Sequence, residues 1–513
     1  MELLQTINTY LLTWCIKLTL CEPLENVRPN VLMIAVDDLR PELGCFLGPD
    51  FPSPTHPRIY SPNIDALAAK SLLLKRAYVQ QAVCSPSRTS LLTSRRPDTT
   101  HVTGNVEYFR LVAGNFTTLP QYFKKHGYRS IGMGKIFHPG KEASDFDDPP
   151  SWTDPYYHAP YYDYWFTKNY SHRAVPKEVR QERPLPDESI SDHAVETLQK
   201  LAPAAKTGSQ PFFMAVGFHK PHLPFIYPEE YLRYYPMGHI SLPKNPYAPV
   251  DMPKAAWSDY YELRNYKDIM KLNVSGAINT TLPDSVVLHL RQGYYSALTY
   301  VDDMIGKVLK ALTSEGLENN TIIALWGDHG WQLGEHGEWC KHTNFEIATH
   351  APMMVHIPGK TDEGIETESL TEYVDLYPTL VEAANLPPLP QCPIDSQNIS
   401  VCTEGTSFLP LIERRNARNQ RSWKKGVFSQ FPRGSLMGYS LRTNRYRYTE
   451  WVKYIGKPKY QPVWSENYGT ELYDHKLDPD ENWNVANSSY YTWTVSYLQK
   501  KLHNGWREEI PTI

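Results

Sequence analysis

A chain of 513 residues, 41% apolar and 21% charged, is too long for one small domain, so a large domain joined to a smaller one is expected. A formal net charge of −4 excludes a general positive field for nucleic acid or anionic membrane, so any anionic ligand must be met by locally placed Lys and Arg. The 43 Pro and 35 Tyr predict extensive rigid, aromatic-rich loop.

The amino terminus, MELLQTINTYLLTWCIKLTLC, holds an apolar run from Leu11 to Leu20 that is too short to span a bilayer comfortably. Residues 1–21 read as a cleaved secretion signal, with Lys17 inside the run and Glu2 where positive charge is usual as irregularities. Seven Asn-x-Ser/Thr triplets, at Asn115, Asn169, Asn273, Asn279, Asn319, Asn398 and Asn487, agree with a secretory route, although each alone is a weak signal. Cys392 and Cys402 bracket a short Pro-containing loop, a reasonable disulfide in an oxidising compartment, with two unpaired thiols as the alternative.

The first expected strand is NVLMIAV, ending at Asp37-Asp38. SPNIDALAAKSLLL follows as an amphipathic helix, with Ser61 as its cap and Pro62 in the first turn. In VCSPSR, Pro86 should keep Ser85 out of helical geometry; SRTSLLTSRR then reads as a helix with Cys84 at its amino terminus and Arg88 one turn in. RSIGMG before Lys135, FFMAVGF before His219 and TIIALW before Asp328-His329 read as buried parallel strands, and PMMVHIPG is a further candidate. QGYYSALTYVDDMIGKVLKALTSEG is a long periodic helix with Gly316 near its end. Strands alternating with helices predict an α/β domain with helices on both sheet faces, over residues 22–410. At TEGTSFLPLIERRNARNQRSWKKG the pattern changes, and its basic run makes residues 411–425 a linker. GYSLRTNRYRYTEWV beyond it alternates like an antiparallel strand, so residues 426–513 are expected to be a small α+β domain.

Ligands of open α/β sheets sit beyond the carboxyl ends of the strands, where every polar cluster just named falls. Neighbouring carboxylates repel, so gathering Asp37, Asp38 and Asp328 implies a cation. Oxygen ligation favours Ca²⁺ or Mg²⁺, and His329 leaves Zn²⁺ or Mn²⁺ open. One Asp-Asp pair alone reads more readily as a helix cap with a solvated carboxylate, and the matching Asp328-His329 dyad at a second strand end reverses that reading. Lys135 and His138 of GMGKIFHPG, with His219, Lys220 and His222 of GFHKPHLPF, follow strands directly and suit an active site about as well as a loop surface. GDHGWQLGEHGEWCKHTNFE, which contains Lys341, can wrap an anion or simply connect elements. Cys84 at a helix amino terminus beside Arg88 suits a tetrahedral anion, and a buried free thiol is the plain alternative. Sulfur is a soft ligand, out of place in a hard-cation site. The residues alone reach a metal-assisted hydrolase of an anionic ester, with Cys84 unexplained.

Cys84-Ser85-Pro86-Ser87-Arg88 matches Cys-x-Pro-x-Arg, the motif of the type I sulfatases. With VDDLRPELGC, SPNIDALA, GNFTTLPQYFKKHGY, GKIFHPG, VGFHKPHLPF, GDHGWQLGEHGEW and ELYDHKLDPDENWN, the chain resembles that family along nearly its whole length. The resemblance implies an alkaline-phosphatase-like α/β sandwich: a large mixed, mostly parallel sheet flanked by helices, plus a smaller carboxy-terminal α+β domain with an antiparallel sheet. It implies that a formylglycine-generating enzyme oxidises Cys84 to formylglycine, whose hydrate offers an oxygen ligand. It implies one Ca²⁺ per chain on Asp37, Asp38, Asp328 and His329, with the modified residue 84 as a further ligand. Arg88 would hold that residue and its anion, Lys135, His138, His219 and Lys341 match sulfate-binding and proton-transfer positions, and Trp331 is placed near the substrate mouth. One hydroxyl of the hydrated aldehyde would attack sulfur, His219 or Lys341 would protonate the departing sugar oxygen, and His138 would take a proton as sulfate leaves. Within the family the motifs are most similar to those of exo-acting enzymes that remove the 2-O-sulfate of terminal iduronate in heparan and dermatan sulfate. That implies a sulfated glycosaminoglycan substrate, a lysosomal or secreted location, and neither nucleic acid nor stable membrane insertion.

Three stretches depart from the family pattern. Residues 150–190 lack an expected cysteine pair, Cys340 stands beside Lys341 where a small inert residue is expected, and QFPRGSLMGYS near Arg433 is shortened. These loops bear on chain-length preference and sugar identity. Two other functions stay open at this level. One is a phosphoesterase or phosphonate hydrolase of the same fold, for which His350 is the obvious extra ligand of a second zinc; the other is a secreted protein that binds sulfated glycans on an inactive scaffold.

Overall fold

The computed structural model describes residues 28–47, 57–160, 167–413 and 423–511. The expected secretion signal and residues 414–422 of the expected linker lie outside the described residues.

A run such as NVLMIAV has no polar face, and a strand covered on both sides accommodates it. It forms β1 (Asn30–Val36), buried throughout, an interior strand of a seven-stranded sheet. With β2 (Leu72–Leu74), β3 (Arg129–Gly134), β4 (Phe212–Phe218), β5 (Thr321–Gly327), β6 (Met353–His356) and β7 (Ile365–Thr367), the spatial order is β7-β2-β6-β5-β1-β4-β3. β1 pairs in parallel with β4 and β5, placing Val36 opposite both Phe218 and Gly327, and β3 pairs in parallel with β4. β6 runs antiparallel to β5 and β2, so the sheet is mixed. Four neighbouring strands therefore end along one edge, delivering Lys135, His219, Asp37 and Asp328 to the same place.

Alternate β1 side chains face opposite layers. Leu32, Ile34 and Val36 share a core with Ile190, Ala194 and Leu198 of α3 (Pro186–Lys206) and with Leu290, Leu298 and Val301 of α5 (Asp284–Ser314). Val31, Met33 and Ala35 pack on the other side with Leu91 and Leu92 of α2 (Cys84–Thr93) and with Leu380 and Val381 of α6 (Leu376–Ala383). Each such buried Val, Leu or Ile contributes roughly 1.5–3 kcal/mol.

Two local expectations are corrected. α1 (Pro62–Ala68) stops early, and Leu72–Leu74, expected to continue it, form β2 instead, because a strand lets all three leucines be buried. α2 starts at Cys84, so Ser85 is helical despite the following Pro86. The first four N–H groups of a helix have no intrahelical partner, so a proline in that turn gives up nothing. The Ser85 N–H instead donates to Asn105 Oδ1 at 3.0 Å.

After residue 422, β8 (Gly426–Arg433), β9 (Leu436–Thr443), β10 (Tyr446–Ile455) and β11 (Gln461–Asp474) form an antiparallel meander. Its core is closed by Leu498 and Leu502 of α7 (Thr492–Asn504). Trp423 and Lys424, expected in the linker, are buried. Trp423 Nε1–H donates to the Leu370 carbonyl at 2.7 Å, and the Lys424 ammonium meets Glu372 at 2.8 Å and Asp375 at 2.7 Å. Cys392 and Cys402 are disulfide-bonded, and all seven candidate glycosylation asparagines are exposed. Among the described residues no helix is long and apolar enough to cross a membrane.

Candidate active site

Convergence of the strand ends depends on two glycines. A Cβ on Gly217 would lie 2.2 Å from the Lys135 carbonyl oxygen, and one on Gly134 would lie 2.0 Å from that of Gly217. Their absence lets β3 and β4 finish close enough for Lys135 and His219 to line one cavity. At the end of β1, Asp38 adopts φ +60°, a rare conformation for a non-glycine residue. Two bonds hold it there: its N–H donates to Asp328 Oδ1 at 2.9 Å, and its carbonyl accepts from the Tyr294 hydroxyl at 2.7 Å.

Cys84 Sγ lies 3.6 Å from Asp37 Oδ1, 3.5 Å from His329 Nε2 and 3.6 Å from Lys135 Nζ. His329 Nδ1 is 2.9 Å from the Gly330 carbonyl, so the proton belongs on Nδ1 and the Nε2 lone pair faces the cluster. Arg88 is fully buried and forked: Nε donates to Asp328 Oδ2 at 2.9 Å and Nη2 to Asp37 Oδ1 at 3.0 Å, while Nη1 donates to the carbonyls of Lys135 and Ile136. Lys135 pairs with Asp37, and Lys341 with Asp38 at 3.0 Å.

One donor atom each from Asp38, Cys84, Asp328 and His329 falls within 4.8 Å of the others, all in buried residues. The two carboxylates of this set fit a hard divalent cation and the His329 imidazole a borderline one as well; the thiol is the misfit, which an oxygen at position 84 would remove. The charges agree. Asp37, Asp38 and Asp328 are balanced by Arg88, Lys135 and Lys341, so an added divalent ion turns the pocket net positive for an anionic ester. Burial raises the carboxyl of Asp37, but Lys135, His222 and Arg88 together overcome it and hold the group well below the usual range. Asp38 goes the other way, because burial, with Asp37, Asp328 and Glu262, outweighs Lys341. Burial pushes the Cys84 thiol well above its ordinary range, so it is not a thiolate nucleophile as it stands.

Above the cluster opens a cavity of about 310 Å³, lined by Asp37, Lys135, His138, His158, His219 and His222 among others. Burial, reinforced by Lys135, lowers both His138 and His219 to about 3, leaving neutral imidazoles. Lys220 is turned aside and donates to the carbonyls of His222 at 2.9 Å and Pro224 at 2.7 Å.

Most of the sequence candidates meet here: Asp37, Asp38, Cys84, Arg88, Lys135, His138, His219, Asp328, His329 and Lys341. Trp331 needs correction. It is fully buried within the core, with the Lys341 ammonium 4.8 Å over its ring, and does not line the cavity. His350 sits against Tyr78 and Glu346 and joins no metal-type cluster around Asp38 among the described residues. Two contributors were missed, and a third, Arg433, was noted only as the landmark of a shortened loop. Asp187 accepts the N–H groups of His219 at 2.8 Å and Lys220 at 2.9 Å, Glu262 lies 3.3 Å from Lys341 Nζ, and Arg433 donates to the His342 carbonyl at 2.6 Å. Asp187 and Glu262 sit in segments without a motif, and no local pattern would have found them.

The sequence profile described as Sulfatase matches residues 29–386, and that of N-sulphoglucosamine sulphohydrolase, C-terminal, matches residues 334–508. The iduronate 2-sulfatase of Mus musculus is 38% identical over 518 residues, covering 90% of this chain and 91% of its own. That of Homo sapiens is 37% identical over 516 residues with the same coverage. A phosphonate monoester hydrolase from Silicibacter pomeroyi superposes with a TM-score of 0.70 at 20% identity, covering 94% of this chain and 96% of its own, a likeness of fold.

Proposed function

The chain belongs to the sulfatase family and is a sulfuric ester hydrolase, and from that premise we propose that it removes the 2-O-sulfate from terminal L-iduronate 2-sulfate in heparan and dermatan sulfate. The observation that carries this choice of substrate is the 37–38% identity, over 90% of the chain, to two iduronate 2-sulfatases. Asp37, Asp38, Asp328 and His329 would hold one Ca²⁺, with residue 84 as a further ligand once a formylglycine-generating enzyme has converted Cys84. When present, the cation and the hydrated aldehyde supply charge neutralisation at sulfate and an oxygen nucleophile in place of the thiol.

The chain's own residues do the rest. Arg88 fixes Asp37 and Asp328 relative to residue 84. Lys135, Lys341 and His219 face the sulfate oxygens and screen their charge, an effect strengthened by burial. Lys341, whose ammonium Asp38 and Glu262 keep protonated against burial, delivers a proton to the departing sugar oxygen, or His219 does so once it has itself taken one up, and the neutral His138 accepts one. The disulfide and the seven exposed sequons support a secretory, lysosomal or secreted location.

The test is a desulfation panel of defined uronate and glucosamine sulfates at acidic pH, using protein co-expressed with the converting enzyme. Release confined to iduronate 2-sulfate at the non-reducing end, and lost in Cys84→Ala, is expected. Preference for a glucosamine sulfate, or full turnover by the alanine variant, overturns the proposal.

A further inference from the structure

Lys341 stands on an inverted piece of backbone. Cys340 and His342 on either side of it have φ of +72° and +78°, the left-handed region that non-glycine residues seldom occupy. Two such residues flanking one side chain persist only where surrounding contacts over-determine them. The Arg433 guanidinium on the His342 carbonyl at 2.6 Å and the His342 N–H on the Ala82 carbonyl at 3.3 Å supply part of those contacts, and α4 (Tyr261–Arg264), a single helical turn entered through Tyr260, itself at φ +41°, supplies the side-chain ones.

The side chains of α4 meet the inverted segment residue by residue. The Tyr261 hydroxyl lies 3.3 Å from His342 Nε2. The Glu262 carboxylate lies 3.3 Å from Lys341 Nζ, 3.7 Å from His342 Nε2 and 3.4 Å from His222 Nε2. On its other sides the Lys341 ammonium meets Asp38 at 3.0 Å and the face of Trp331 at 4.8 Å. Lys341 is thus shared between two carboxylates, one of which belongs to the cation's donor set and one of which does not. Glu262 is also the contact common to Lys341, His222 and His342.

We propose that Glu262 is a positioning residue: it draws the Lys341 ammonium away from full pairing with Asp38, leaving that carboxylate to the cation, and holds Lys341 beside the cation's donor set and His222 in the cavity wall. The proposal rests on the reading of Lys341 as a sulfate-facing group. Without the Glu262 charge, the ammonium has one carboxylate left to pair with, and it competes there with the divalent ion.

A double-mutant cycle over wild type, Glu262→Gln, Lys341→Met and the double variant tests this. Kinetics are measured on an iduronate 2-sulfate disaccharide, Ca²⁺ affinity by calorimetry, and folding by thermal melting. Glu262→Gln is expected to lower kcat about tenfold or more, as a misplaced catalytic group does, with a smaller change in KM, and to weaken Ca²⁺ binding. In the Lys341→Met background the same change should leave kcat within about twofold, and Ca²⁺ affinity should recover, because the competing ammonium is gone. Wild-type kinetics in Glu262→Gln, or equal losses in both backgrounds, overturns the clamp. Should Glu262→Gln not fold, Glu262→Asp, which keeps the charge but shortens the reach, is read the same way. If wild type releases no sulfate from the disaccharide, the substrate reading fails while the calorimetric cycle still decides the clamp.

Discussion

The Arg88 guanidinium spans Asp37 and Asp328 with two donors and caps two backbone carbonyls with a third, all out of contact with water. A lysine offers the charge without the fork. Arg88→Lys is therefore expected to lower kcat/KM by roughly a hundredfold or more, and to weaken Ca²⁺ binding, since its carboxylates lose their common clamp. Sulfate-release kinetics and calorimetry check this, and a variant within about threefold of wild type contradicts it. At this scale the sequence was most legible where an apolar run ends abruptly: Asp37, Lys135, His219 and Asp328 each follow a buried strand. Lys341 has no such marker: its loop read as an anion-wrapping segment or a plain connection, and only the family resemblance gave it a role. Trp331 shows the limit of proximity in sequence, because it lies two residues from His329 yet points into the core.

Among the elements, β3 and β4 set the distance between Lys135 and His219, and Gly217 sets how closely the two strands approach. The Cβ of Gly217→Ala would press on the Lys135 carbonyl oxygen and carbon at 2.2 and 2.3 Å, both backbone atoms that cannot swing away. The substitution should cost roughly 1–3 kcal/mol or more of stability, and should cut turnover beyond what that loss explains, because Lys135 itself is displaced. Melting curves beside kinetics at a temperature where the variant is folded separate the two effects; an alanine variant with native melting and native turnover refutes this role. The buried strands were readable because burial on both faces leaves a continuous apolar signature. β2 was not, since three leucines after a helical pattern carry no mark of where the helix stops. The start of α2 was misread because proline was weighed as a breaker, when in a first turn it is tolerated.

For the molecule as a whole, the seam between the sheet domain and the carboxy-terminal meander gathers buried carboxylates of two kinds. Glu338 is held by the Ser258 N–H at 2.7 Å and Gln332 Nε2 at 3.1 Å, and burial raises it to about 8. Glu471 is held by Trp451 Nε1 at 2.7 Å and the Tyr473 hydroxyl at 2.8 Å, and burial raises it to about 7. Glu372 and Glu481 are salt-bridged to Arg96 and Arg447, which overcome burial and hold both at about 2. A raised carboxyl contributes stability that is complete below its unfolded value, near 4.5, and is lost as pH climbs through 7 and 8. A lowered one contributes stability present above about 4.5 and lost as pH falls toward 2. The buried neutral histidines, His138 and His219 among them, contribute stability that is lost as pH falls below about 6.5, so the pH of highest Tm is set by their balance with the carboxyls. The raised carboxyls are isolated by following Tm from about pH 5.5 to about pH 8 in wild type and in Glu338→Gln: wild type should lose more, or gain less, than the variant, and an identical Tm change in the two contradicts this. The seam itself was not legible beforehand, because it joins residues more than a hundred positions apart, as in Glu346 to Arg447. The central claim is that catalysis waits on an oxygen replacing the sulfur at position 84. It is met most directly by preparing the protein at graded levels of conversion, weighing the tryptic peptide that spans position 84, and measuring sulfate release from the iduronate 2-sulfate disaccharide. Turnover in proportion to the aldehyde-bearing fraction, vanishing in wholly unconverted protein, is predicted; undiminished release from protein whose peptide carries only the thiol would contradict the account.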